Sequence, residues 1–307
     1  MTTAAPLEGI CLAALRWLHR RRDDFRLPDD PTAPGHDRNA TLKPLGELAQ
    51  LSRTIADVAG AGAAGRPARA LFDFAWQESG RGEVFAALAR REPHATYPLE
   101  MYAAFAQAGL VHQGFEAQVR EVAATRSWRL AERNATRTLA VLHAERRLGL
   151  PPHCDPREAR ARTWLGGLAE PWSFTTHAGY AATHTVFHLT DWCTRPDLLS
   201  PAIADHLRLW LPAWLDCTVE AADWDLTGEL LAVAALLPQL PGAAEAWTAL
   251  GRAQRPDGSV PEHGAPTGPV AFHAYYHSTL VAAFAAAVTM AAAPTAVPPT
   301  ALREDAR

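Results

Sequence analysis

Cysteine is scarce in this 307-residue chain, with Cys11, Cys154, Cys193 and Cys217 far apart and no C-x-x-C pair. That spacing argues against a disulfide framework. Long apolar runs are missing too: none approaches the ~20 residues of a membrane span. The N-terminal stretch "MTTAAPLEGICLAALRWLHRRR" has neither the basic-then-apolar order nor the cleavage site of a secretory signal. A cytoplasmic protein with no membrane partner is the expectation. No long run of one charge sign occurs, and 29 Lys+Arg against 33 Asp+Glu give a formal net charge of −4. Nucleic acid is therefore not expected as a partner. The densest basic stretch, "LRWLHRRRDDFR", runs straight into Asp23 and Asp24 and reads as a solvated helix end. Alternating β-branched and aromatic residues are almost absent, which removes a sheet. No G-x-S-x-G elbow and no strict repeat is visible, which argues against a serine-hydrolase site and a regular solenoid.

What the chain has in abundance is alanine and leucine at helical spacing. Segments such as "LKPLGELAQLSRTIADVAG", "AIADHLRLWLPAWLDCTVEAA" and "YYHSTLVAAFAAAVTM" place apolar residues three and four apart. Pro and Gly punctuate them at "RLPDDPTAPGHD", "LGLPPHCDP" and "LPQLPGA". The pattern predicts about a dozen helices joined by mostly short turns. With 48% hydrophobic residues the chain can bury a large core. A single all-α domain over 1–291 is expected, followed by a disordered Ala/Pro/Thr-rich tail over 292–307. The ten tryptophans, among them Trp172, Trp192, Trp210, Trp214 and Trp224, are read chiefly as packing residues.

Three segments set polar residues on apolar helices. "THTVFHLTDWC" (183–193) aligns His184, His188 and Asp191 on one stripe, with His177 two turns earlier and Cys193 just after. "DWDLTGELL" (223–231) carries Asp225 and Glu229 one turn apart, and "FHAYYHSTLVA" (272–282) carries His273 and His277 likewise. Burying such groups without partners costs several kcal/mol, so they need each other, a metal or a ligand. Imidazoles and carboxylates suit zinc or iron, and also manganese or copper. The expected metal set is His184, His188, Asp191, Glu229 and His277, with Asp225, His273 and Cys193 in reserve. Glu229, Asp225 and His188 are the candidates for moving protons during catalysis. The plain alternatives are an N-terminal cap for Asp223 and isolated core histidines at His112, His143 and His206; Glu47, Glu100 and Glu132-Arg133 sit on helices that could face the cavity but are read as salt-bridge partners or exposed charges.

"AQRPDGSVPEHG" (253–264), followed by the helix "HAYYHSTLVAAFAAA", resembles the Q-x-x-DGS turn and inner helix of the α/α-toroid proteins, such as terpenoid cyclases and protein prenyltransferase β subunits. The close part of the match covers about 250–290. It implies a ring of helical hairpins around a central cavity. The prenyltransferase likeness further implies a zinc held by Asp191, Cys193 and His277, because Asp191-Trp192-Cys193 and Tyr276-His277 reproduce the family's D-x-C and YH order. The additional His184 and His188, and the lack of glycine-rich repeats, depart from that pattern. "DWDL" (223–226) resembles the D-x-D-D acid motif of the cyclases, with Leu226 in place of the last aspartate. The general layout also resembles a group of actinobacterial proteins that lends no activity. Three functions follow as expectations. The first is a metal-dependent enzyme acting on a small molecule or peptide end in the cavity, in specialised metabolism. The second is a zinc-dependent prenyl- or thiol-transferase, and the third a non-enzymatic helical scaffold with a buried polar network.

Overall fold

A computed structural model describes residues 4–33, 35–265 and 271–293. The all-helical expectation holds among these residues: no strand forms, and the one β-type contact is an isolated bridge between Asp223 and His263. The tail expected to be disordered lies outside them beyond residue 293. The α-helices are α1 (Ala4–Arg20), α2 (Leu42–Ala59), α3 (Gly65–Glu78), α4 (Glu83–Arg91), α5 (Tyr97–Gln107), α6 (Gln113–Ala123) and α7 (Arg126–Leu130). They continue with α8 (Ala135–Arg147), α9 (Pro156–Ala161), α10 (Thr176–Leu189), α11 (Pro201–Glu220), α12 (Trp224–Ala234), α13 (Ala243–Ala253) and α14 (Tyr276–Ala292).

Composition decides which helices lie inside. From Ser278 to Val288 every residue of α14 is buried, as a helix apolar on all sides requires. It packs on α1, α2 and α12. α12 is buried from Asp225 to Ala234, and Gly228 lets it approach α14 closely, since a Cβ there would lie 2.8 Å from Val281 Cγ1. Packing between helices then runs from α2 to α5, α5 to α8, α8 to α10, α10 to α12, α12 to α14 and α14 back to α2. α1, α3, α4, α9, α11 and α13 pack against members of this series, and α6 packs on α4. One continuous apolar core draws on residues from Leu7 to Val288.

The Q-x-x-DGS turn has a structural role. Gln254 Nε2 donates to the Ile10 carbonyl of α1 (3.1 Å) and to Gly258 O (3.0 Å), while Asp257 Oδ1 accepts from Ser259 N (3.0 Å) and Oγ (2.7 Å). Gly258 has φ +95°, and a Cβ on it would sit 2.1 Å from Ala13 O, so only glycine fits. Ser278 Oγ donates to Val260 O (2.6 Å), and Thr279 Oγ1 accepts from Val260 N (2.9 Å). The turn thus fastens α1 and the chain after α13 to the start of α14.

Candidate functional site

The helix starts around the site are fixed by side-chain caps. Thr175 Oγ1 accepts from Ala178 N (3.2 Å) at α10, Asn134 Oδ1 from Arg137 N (2.7 Å) at α8, and Asp223 Oδ1 from Leu226 N (3.1 Å) at α12. The cap role read for Asp223 is therefore its role in the structure. One turn into α12 and α14, Asp225, Glu229 and His277 come together, each offering a ligand atom within 4.8 Å of the others. Among the described residues they are the only three His, Cys, Asp or Glu side chains so grouped.

His277 is the hub. Its Nδ1 pairs with Asp225 Oδ1 at 2.7 Å, and its Nε2 lies 3.7 Å from Glu47 Oε1 and 4.0 Å from Glu229 Oε1. Asp225 also accepts from the Tyr180 hydroxyl (2.7 Å), Glu229 from Thr183 Oγ1, and Glu47 from the Tyr276 hydroxyl (2.8 Å). Glu47 is further paired with Lys43 at 3.3 Å. His184 Nδ1 donates to the Tyr180 carbonyl (2.8 Å) and lies 3.6 Å from Glu229 Oε2. That bond ties up Nδ1 of His184 and leaves Nε2 for other contacts.

Burial divides the charges among these groups. It pushes the Glu229 carboxyl above its usual value, only partly countered by His184 and His277. Burial would also raise Asp225, but His277 and the Tyr180 hydroxyl outweigh it and hold the carboxyl below its usual range. For His277, burial favours the neutral ring, yet Asp225 and Glu47 prevail and raise its pKa to about 10. The Tyr180 hydroxyl is raised by its own burial and by Asp225, so it stays a proton donor. At neutral pH the cluster holds an imidazolium between two carboxylates, beside a third carboxyl that resists ionisation.

The stripe expected along 183–191 is broken. α10 ends at Leu189, and Asp191, Trp192 and Cys193 follow with φ of 53°, 57° and 63°, three successive left-handed non-glycine residues. This turn swings Asp191 onto α8. There it accepts from His143 Nε2 (2.7 Å), Arg147 Nε (3.1 Å) and Nη2 (2.8 Å), and from Gln107 Nε2 (2.9 Å). Burial would raise its carboxyl, but His143 and Arg147 hold it well below the ordinary range. Cys193 is buried, with its thiol on the Ala232 carbonyl at 3.4 Å, and burial pushes its pKa up. The implied Asp191/Cys193/His277 zinc set is therefore not assembled: both residues are taken up by other partners. His273 is exposed and meets Phe272 and Tyr276 edge to face, outside the cluster.

His188 remains on the cavity side of α10, with ring centroids 5.6 Å from His143 and 6.2 Å from His184. Its Nδ1 is sealed from solvent and has no hydrogen-bond partner. Burial above all holds its pKa well below the usual imidazole value, and the nearby guanidinium groups of Arg147 and Arg137 act in the same direction. His143 is likewise neutral, with burial lowering its pKa to about 4.

Glu47, His143, Arg147, Tyr180, His184 and His188 border a cavity of about 720 Å³, a size typical of small-molecule sites, and Asp225, Glu229 and His277 lie behind that wall, in contact with Tyr180, His184 and Glu47. Its lining comes from the stretch before α2 and from α2, α5, α8 and α10, and includes Glu47, Tyr97, Glu100, Met101, Arg137, His143, Arg147, Tyr180, His184, His188 and Trp192. The polar residues of the lining sit mainly in the first two turns of their helices, as do those of the cluster behind it: Lys43 and Glu47, Glu100, Arg137 and Tyr180 in the lining, and Asp225, Glu229, Tyr276 and His277 in the cluster. Glu47 and Glu100 are salt-bridged, to Lys43 and Arg137, yet both line the cavity. Sequence reasoning missed Tyr180, His143 and Arg147 as site residues and favoured a salt-bridge or exposed role for Glu47. Arg147 on α8 pairs with Asp191 44 positions later, and no spacing rule connects them. Tyr180, one turn before His184, was the one with a local signal.

No helix among the described residues is long and apolar enough to cross a membrane. A family model described as "Domain of unknown function (DUF6895)" matches residues 11–287. No curated protein and no solved structure matches the chain.

Proposed function

The chain belongs to the DUF6895 family, and we propose that it is a metal-dependent enzyme acting on a small molecule or peptide end within the 720 Å³ cavity. The observation that carries this reading is the bond from His277 Nδ1 to Asp225 at 2.7 Å, with Nε2 turned toward Glu47 and Glu229 at 3.7 and 4.0 Å. A metal-bound histidine commonly donates its other nitrogen to a carboxylate, which fixes the ring and raises its basicity. His277, Glu229 and Glu47 would be the ligands and Asp225 the group behind His277. One nitrogen and two carboxylates suit iron(II), manganese or zinc. Bound there, the ion would supply Lewis acidity toward a substrate oxygen or water. His184, 3.6 Å from Glu229, and the Tyr180 hydroxyl are placed to exchange protons with a bound molecule.

The architecture we infer is an α/α toroid with α2, α5, α8, α10, α12 and α14 as inner helices. Its support is the series of packed neighbours that returns from α14 to α2, together with the cavity that the first turns of α2, α5, α8 and α10 share. An inner ring of parallel helices accounts for both.

Elemental analysis of protein purified without an affinity tag tests the metal. About one ion per chain is expected, lost in His277→Ala and Glu229→Gln, and bound roughly 10–100-fold more weakly in Asp225→Asn. Negligible metal, with no thermal shift on adding zinc, iron(II) or manganese, overturns the reading. That result would favour a second one, in which the His277 imidazolium, with its pKa near 10, balances Asp225 and Glu47 unaided. The cluster would then act by acid–base chemistry alone or serve as an internal network of a binding protein.

A further inference from the structure

We propose that the exposed face of α11 docks a second copy of this chain, the two α11 helices running antiparallel across a two-fold axis between Leu209 and Ala213. The inference starts from which sides of α11 are apolar. Ile203, Leu207, Leu211, Trp214, Leu215 and Thr218 are buried, and the helix packs on α12 and α13. At about 100° per residue, the opposite side carries Ala202, Leu209 and Ala213 within roughly 40° of one another, with Cys217 at their edge. All four are exposed, Leu209 to 67%. A surface helix keeps polar residues on its outer face, so an apolar stripe there marks a contact. The stripe does not stand alone. Trp172, 81% exposed, is held alongside by the bond from Trp214 Nε1 to the Pro171 carbonyl (3.2 Å), and the half-buried Trp210 lies one turn before Trp214.

The residues of this face say what covers it. A two-fold contact uses the same patch on both copies, so the patch must complement itself. Leu209 and Ala213 are one turn apart, and with the axis midway between them each leucine meets the small Ala213 of the other copy. The charges match within one residue of that register. Arg208 and Asp216 are both exposed and lie two turns apart on one edge of the stripe. In an antiparallel pair like edges face each other, so Arg208 of each copy comes level with Asp216 of the other. Arg208 already bonds Asp205 of its own helix (2.7 Å), and a guanidinium has donors for a second carboxylate. The other edge is the aromatic one, with Trp210 and Trp172, residue types enriched in the centres of interfaces. An anionic lipid surface is disfavoured, because Asp205, Asp216 and Glu220 flank the stripe against the single arginine of this helix.

The experiment is sedimentation equilibrium of the full chain across the micromolar range. Wild type should populate a dimer. Leu209→Glu, which sets a charge at the centre of the contact, should raise the dissociation constant about 30-fold or more. Trp172→Ala should raise it about tenfold. That variant keeps the test valid if Leu209→Glu fails to fold, because Trp172 is 81% exposed and lies outside the α-helices. Charge reads the register. Asp216→Arg should weaken the dimer about tenfold, since Arg208 then faces a like charge, and adding Arg208→Asp should restore most of the loss. A monomer at every concentration overturns the proposal, whether another part of the same chain or a different protein covers the stripe. So does a dimer of unchanged affinity in the folded Leu209→Glu and Trp172→Ala variants, or a double variant no tighter than Asp216→Arg alone.

Discussion

Replacing Asp191 separates the geometry found here from the zinc set implied by the D-x-C order. Its carboxylate, 14% exposed, holds the guanidinium of Arg147, itself only 6% exposed, and accepts from His143. Asp191→Ala leaves Arg147 with Gln50 and the distant solvent, and removing one partner of a buried ion pair costs about 3–5 kcal/mol. Alanine at φ 53° adds roughly 1 kcal/mol of left-handed strain. With ~2 cal/mol/K of unfolding entropy per residue over the chain, a loss of about 4 kcal/mol lowers the thermal midpoint by roughly 6 °C. Asparagine tolerates the left-handed backbone and keeps one acceptor, so Asp191→Asn should cost about half as much. Arg147→Met in the Asp191→Ala background should recover part of the loss, since the stranded charge is then gone. Calorimetric melting of the four proteins is the assay, with metal content measured alongside. The Asp191 pKa is depressed in the folded state, so its contribution is present above the unfolded value near 3.9 and fades as pH falls below it. The gap between wild type and Asp191→Asn should therefore narrow in acid. A change under about 1 kcal/mol in Asp191→Ala refutes the network argument. Loss of bound metal in a folded Asp191→Asn restores the implied zinc set.

Further outcomes follow from the same contacts. Cys193→Ser should melt about 1–2 kcal/mol less stably and keep its metal, because the thiol meets only a backbone carbonyl; metal loss would contradict this. The His277 pKa is raised to about 10, so its contribution to metal-free stability is full below pH ~6.5 and is lost as pH rises through 10. Melting curves taken with chelator over that window should fall for wild type and stay flatter for His277→Gln, and parallel curves would count against the Asp225 pairing. His143 behaves oppositely: with its pKa lowered to about 4, its contribution is present above pH ~6.5 and lost as pH falls toward 4. His143→Gln should flatten the acid limb of the melting profile. Gly258→Ala forces a Cβ to 2.1 Å from Ala13 O at φ +95°, and should cost about 3 kcal/mol or more in thermal denaturation; a neutral result would mean that the turn is free to shift.

The all-helical class was legible because alanine- and leucine-rich segments with three- and four-residue spacing specify helices locally, whatever lies beside them. The cap at Asp223 was legible too, because its side chain reaches only three residues along. The pairing of Asp225 with Glu229 was also local, a matter of one helical turn. Reading 183–191 as one continuous stripe failed because Asp191 gains more from His143, Arg147 and Gln107 than the helix gains from continuing. Those partners lie 44 to 84 positions away. His277 was visible as a candidate, but its partners Glu47 and Asp225 lie 230 and 52 positions away on two other helices. Sequence by itself determined the helices and which residues each could offer, since both depend on neighbours along the chain. Only the packing of α2, α8, α10, α12 and α14 decided which of those residues meet, because a buried charge takes the nearest partner in space.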